Sequence, residues 1–201
     1  LHLLSRRQRQ MCIRDRFDMD SNDIRGLNYT YNADGYIWKY LGVDKTTARA
    51  ASENDQNYII YRLADVLLMK AEALIMQGHN EDAADLIDRT RERAGLGETT
   101  LSDDRMVMLE TLLVERQKEF FGEGKNWFDL LRIGLRSEQL NDTQYKTLFV
   151  EQALKAVGAS RQSLGRATLA NSGSWYLPYS EDELSKNPLL EQSDYYQSIS
   201  N

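Results

Sequence analysis

The apolar residues Ile60, Leu63, Ala64, Leu67, Leu68, Ala71, Leu74 and Ile75 recur at the three- and four-residue spacing of one helical face. That spacing predicts a helix over 58–77, closed by Gly78, a residue that enters the left-handed region without a Cβ penalty. Asn80 is the expected N-cap of the next helix, and Glu81 and Asp82 put negative charge into its first turn, where the backbone dipole favours it. This second helix is expected to run to about Ala94, to bury Ala83, Ala84, Ile87, Thr90 and Ala94, and to stop at Gly95. Two antiparallel helices with so short a turn, and small residues at their crossing, form a hairpin of the tetratricopeptide-repeat type. One such unit is legible. Units of this kind bury their faces by stacking, so the pair is expected to dock on upstream helices that the chain does not contain.

Downstream, Ser102 is the expected cap of a third helix, with Asp103 and Asp104 in its first turn and Met106, Leu109, Leu113 and Phe120 on its apolar face. Trp127, Phe128, Leu130, Leu131 and Ile133 suggest a short helix ending at Gly134, with Trp127 and Phe128 as core anchors. Residues 143–157 carry a weak helical pattern through Leu148, Phe149, Ala153 and Val157, whereas 158–174 have no stable period and read as loop. Ser180–Glu183 has the form of a capping box, and Asn187–Pro188 ends the brief helix it opens. Upstream, Tyr29, Tyr31 and the run Tyr36–Tyr40 alternate around Asn32–Gly35, as a short β-hairpin would. The expected class is therefore mainly α: tetratricopeptide-like helical hairpins, irregular loops and one short hairpin of strands.

Charge and composition narrow the function classes. A net charge of −6 argues against binding a phosphate backbone, which draws on clustered Lys and Arg. No stretch approaches the ~20 apolar residues of a membrane span. The single cysteine, Cys12, allows neither an internal disulfide nor a multi-cysteine metal site. His2 and His79 offer little to a catalytic triad or a zinc site, so no metal and no cofactor is expected. Residues 1–16 hold five Arg against one Asp, a local charge of +4. Such an abrupt break marks them as a non-native leader, with a basic surface helix or linker as the alternative. The chain begins at Leu1 and reads as a piece of a longer protein, with residues 17–201 as its native portion.

Four stretches then occur in a fixed order: Tyr61–Ala73 (YRLADVLLMKAEA), Asp88–Leu96 (DRTRERAGL), Glu115–Arg132 (ERQKEFFGEGKNWFDLLR), and Tyr176–Pro178 through Asn187–Leu189 to Gln192–Tyr195. Together they resemble the C-terminal region of the SusD/RagB family. Lys125 and Asn126 depart from the family pattern, Leu177–Pro178–Tyr179 stands where Pro-Ile-Pro is usual, and the closing Pro-Gly pair is absent. Asp23–Ile24–Arg25 is similar to an upstream Asp-Pro-Arg motif, with Ile in place of Pro. The resemblance implies a non-enzymatic surface lipoprotein of the outer membrane. Such a protein captures a glycan or other nutrient and works as a lid on a SusC-like TonB-dependent transporter. Its contact with the membrane would be a lipid anchor on an N-terminal cysteine that this chain lacks, since no lipobox precedes Cys12.

Two sets of residues are candidates for a site. Glu115, Glu119 and Glu123 repeat every four residues and would repel one another on one helical face unless cations pack among them. Arg62, Arg91, Arg116 and Arg132 are the expected partners in a structural ion-pair network. The enzymatic alternative makes Glu115 and Glu119 the acid/base pair of a glycoside hydrolase, which needs carboxylates roughly 5–10 Å apart. Tyr36, Trp38 and Tyr40 are the candidate ligand contacts, because aromatic faces stack on sugar rings; packing against the helices is the alternative for them. Without the resemblance, the residues alone support a helical-repeat interaction scaffold.

Overall fold

A computed structural model describes residues 22–26, 30, 39, 57–155 and 157–199. The expected leader over 1–16, the strand hairpin around Asn32–Gly35, and Tyr36, Trp38 and Tyr40 lie outside the described residues. Among the described residues all regular structure is helical, in keeping with the mainly α class. The chain divides after Arg132 into two compact units.

The first unit contains α1 (Leu63–Gln77), α2 (Asn80–Arg93), α3 (Arg105–Glu119) and the opening turns of α4 (Asn126–Gln139). α1 packs against both α2 and α3 through Ala64, Leu68, Ala71 and Ile75, all buried. It starts later than its apolar spacing suggests. Arg62 is extended (φ −149°, ψ 165°), and Ile60 and Leu63, placed on the inner face by periodicity, are 67% and 70% exposed. The reason is polar: the extended segment lets Arg62 reach Glu119 and Glu123 and lets the Tyr58 hydroxyl donate to the Glu123 carbonyl. Gly78 closes α1 in the left-handed region at φ 83°. The cap position of α2 is His79 rather than Asn80, whose side-chain amide instead donates to the Ser102 carbonyl at 2.8 Å. Gly95, at φ 78°, ends the α2 segment, and a Cβ there would lie 3.1 Å from the Asn22 carbonyl oxygen. α3 is capped by Asp104, which accepts from the Met106 amide at 2.7 Å, while Ser102 accepts from the Asp104 amide one step earlier.

The second unit contains the rest of α4, then α5 (Thr143–Leu154), α6 (Ala159–Leu169), a 3-10 turn at Ser172–Trp175, α7 (Glu181–Lys186) and α8 (Asp194–Ile199). Its core is aromatic and aliphatic, built from Ile133, Tyr145, Phe149, Leu154 and Trp175. The rings of Phe149 and Trp175 are 4.4 Å apart, and the Trp175 indole N–H donates to the Leu169 carbonyl at 2.9 Å. α4 passes through Gly134 instead of stopping there, because a glycine is what lets these rings approach: a Cβ would meet Phe149 Cγ at 3.0 Å and Trp175 at 3.1 Å. α5 ends at Leu154, so Val157 falls beyond it.

Two further expectations are overturned. Residues 158–174 are not loop, since α6 and the 3-10 turn occupy most of them. α6 buries none of its residues, so it has no apolar period to read. Trp127 and Phe128 are not core anchors but 39% and 67% exposed. α4 turns Asp129, Leu130 and Ile133 inward instead, and at about 100° per residue Phe128 lies roughly opposite Leu130. Ser180 does cap α7, accepting from the Glu183 amide at 3.3 Å.

Candidate functional site: a buried cluster of ion pairs

α3 turns three carboxylates of its C-terminal half and the following loop into the first unit. Glu115, Glu119 and Glu123 are only 1–3% exposed. A carboxylate removed from water this far needs compensating donors. Arg25 supplies several at once: Nη1 donates to Glu115 at 2.7 Å and to Glu119 at 3.1 Å, while Nε and Nη2 grip Asp23 at 2.9 Å. Thr90 donates its hydroxyl to Glu115 at 2.9 Å. Arg62 bridges the next two carboxylates, meeting Glu119 through Nη1 and Glu123 through Nε and Nη2, and also caps the Glu119 carbonyl. Arg93 adds a further bond to Glu119, and Lys39 donates to both Glu123 and the Glu119 carbonyl at 2.7 Å.

A second cluster is centred on Arg116, itself 3% exposed. Its guanidinium holds Asp129 through two bonds of 2.8 Å and Asp65 at 2.9 Å. Lys125 closes on the other Asp65 oxygen, and Arg132 joins Asp129 to Glu72. Phe120 sits where the clusters meet. Arg62, Arg116 and Lys125 each lie 4.7–4.8 Å from its ring centroid, where the electron-rich face attracts cations.

The expected residues are thus distributed unevenly. Arg62, Glu115, Glu119 and Glu123 meet in one cluster and Arg116 and Arg132 in the other, while Arg91 stands at the margin, 3.9 Å from Glu115 and bonded to the Gly97 carbonyl. Sequence reasoning missed Asp23, Arg25, Lys39, Asp65, Glu72, Arg93, Lys125 and Asp129 as members. A signal for Asp65 and Glu72 was present: both lie on the apolar stripe of α1, three and four residues from Leu68. A carboxylate in that setting announces a buried partner.

The electrostatics follow from the packing. Burial alone would raise the Glu119 carboxyl, but hydrogen bonds from Arg62 and Arg93 outweigh it and hold the group below its ordinary value. Glu123 is lowered in the same way by Arg62 and Lys39, Asp65 by Lys125 and Arg116, and Asp23 by Arg25, in each case against the opposing effect of burial. A carboxyl so depressed is ionised at neutral pH and is a poor proton donor. Among the described residues no cluster of three or more His, Cys, Asp or Glu could hold a metal ion, and no helix is long and apolar enough to cross a membrane.

Comparison with known proteins places this architecture. The SusD family model matches residues 15–196, a span that includes all four motif stretches and Asp23–Arg25. SusD-like protein P38 of Formosa agariphila is 37% identical over 89 residues, 40% of this chain and 18% of that protein. SusD-like protein P25 of the same organism is 29% identical over 171 residues, 84% of this chain and 28% of its own length. A crystal structure of a SusD superfamily protein from Bacteroides fragilis covers 91% of this chain and 39% of its own at 24% identity, with a TM-score of 0.61, and shows the shared fold. The chain therefore spans less than a third of the length of the curated relatives it matches.

Proposed function

Because the chain belongs to the SusD family, we propose that it is the C-terminal portion of a glycan- or nutrient-binding lipoprotein of the outer-membrane surface, working with a SusC-like TonB-dependent transporter. The observation that carries this reading is the family match across residues 15–196. The whole protein is expected to bind its ligand without covalent chemistry and to pass it to the channel. Residues 17–201 are the native part of this portion, a reading that sequencing the source locus would check.

The ion-pair clusters support a binding protein over a hydrolase. A glycoside hydrolase needs one carboxyl protonated near neutral pH and another free to attack or to activate water. Glu115 and Glu119 each contact Arg25, and Glu119 is also held by Arg62 and Arg93, an arrangement suited to tying α3 to its neighbours. We assign Tyr36, Trp38 and Tyr40 to ligand contact. The decisive experiment is a glycan array on the longer protein, followed by calorimetry with any sugar it retains and by co-purification with the neighbouring transporter. Retention of a glycan without cleavage, lost on replacing the three aromatics by Ala at unchanged melting temperature, is the expected result. Turnover that Glu119→Gln abolishes while the fold persists would refute it.

A further inference from the structure

The buried carboxylates of the first unit form one wall of a cavity of about 410 Å³. That volume falls in the range of small-ligand sites, roughly 300–1,000 Å³. Ile24, Ile59 and Ala94 give it an apolar lining. Among the described residues five cations also line it: Arg25, Lys39, Arg62, Arg93 and Lys118. Two carboxylates oppose them, and both are saturated. Each oxygen of Glu119 and Glu123 already accepts a hydrogen bond from Arg25, Lys39, Arg62 or Arg93. Asp23 and Glu115, which do not line the cavity, take up further charge from Arg25 and Lys118. Among the described residues five cations thus meet four carboxylates around the cavity, a positive surplus in a chain whose net charge is −6.

Arg93 is the cation best placed to take a ligand. It gives Nη2 to Glu119, and its side chain is 62% exposed. A guanidinium carries five N–H donors in a planar fork that matches the oxygens of a carboxylate or a sulfate. Lys39 links the cavity to the segment assigned to ligand contact. Its ammonium is fixed by Glu123 and the Glu119 carbonyl, and its neighbours in the chain are Trp38 and Tyr40. Apolar lining suits the face of a sugar ring, and an exposed guanidinium beside surplus positive charge suits an anionic substituent on that ring. On the reading of the chain as part of a glycan-binding protein, we propose that this cavity receives an acidic saccharide and holds its carboxylate or sulfate group through Arg93.

The test uses the longer protein encoded at the source locus and observes the sugars by saturation-transfer NMR. D-glucuronate, glucose 6-sulfate and glucose are titrated separately, so the first two arms tell carboxylate from sulfate. Saturable binding of at least one acidic sugar, with glucose bound at least tenfold more weakly, is the expected result. Equal binding of glucose, no saturable binding of either acidic sugar, or complete displacement by an equal concentration of inorganic sulfate would overturn the proposal. Two variants locate the site. Arg93→Gln is expected to weaken binding about tenfold, as loss of a charge-assisted hydrogen bond does. Ile59→Trp fills the cavity without touching an ion pair and is expected to abolish binding. Loss in either variant places the sugar here, and full affinity in both would refute the assignment. A protein that retains neutral glycans and ignores both acidic sugars keeps its place as a glycan binder while this cavity loses its ligand. Cleavage of a bound sugar would do the reverse.

Discussion

The two units close with different materials. The first adds to an aliphatic core of Leu68, Ile75, Ile87, Met108, Leu109 and Leu112 a set of charged groups that water has been made to leave, Glu115, Arg116, Glu119, Glu123 and Asp129. The second closes around Phe149, Tyr145 and Trp175, and its ion pair between Arg166 and Glu151 lies on the surface. Apolar burial is tolerant of geometry, because it scales with area. Buried charge is not: it demands the right partner at hydrogen-bond distance, and a missing partner leaves an uncompensated ion. The first unit should therefore fail abruptly and in a pH-dependent way, and the second gradually and with little regard to pH.

The sharpest way to break this contrast is to delete the centre of each unit. Arg116→Met strips Asp65 and Asp129 of a shared partner and should cost about 3–5 kcal/mol in denaturant unfolding. Trp175→Ala should cost a similar ~3–5 kcal/mol through the cavity it leaves. Amide hydrogen exchange separates the two: the first substitution should release α1 and α3 preferentially, the second α5 and the 3-10 turn.

Acid is the next probe. Glu119, Glu123, Asp65 and Asp23 have folded values below their ordinary 4.5 and 3.8. A carboxyl lowered by folding contributes its full stabilisation above the unfolded value and loses it as pH falls through the folded one. Exchange protection in α1–α3 should thus hold at neutral pH and decline as pH drops below about 4.5, ahead of any loss in α5. Parallel decline in both units would remove the distinction.

Smaller effects refine the picture within the second unit. Gly134→Ala would push a methyl against Phe149 and Trp175 and should cost about 1–3 kcal/mol by thermal or urea unfolding. Arg166→Gln removes an exposed ion pair with Glu151 and should leave the same unfolding curve unmoved, because solvent screens charges there.

The sequence made some of this legible and hid the rest for identifiable reasons. The α1–α2 hairpin could be read because its inner face is built from aliphatic side chains and Gly78 takes the left-handed turn. Glu115, Glu119 and Glu123 drew notice by their spacing, yet most of their partners could not be named, since Arg25 is 90 residues from Glu115 and Lys39 is 84 from Glu123. Pairing across such distances belongs to tertiary structure. The start of α1 was misjudged because Arg62 prefers two carboxylates to a helical turn, a polar demand that an apolar pattern does not register. α6 was missed because a helix with no buried face carries no periodic signal. Trp127 and Phe128 follow a helix within a family motif, which suggests core, but a motif does not say which way α4 turns them.

The central claim is that Glu119 and Glu123 are ionised braces, held by arginines and lysines. Site-resolved titration of the Glu119 side-chain carboxyl by carbon-detected NMR addresses it directly. The account predicts a midpoint below the ordinary 4.5. A midpoint raised above that value, as a general acid would show, contradicts it.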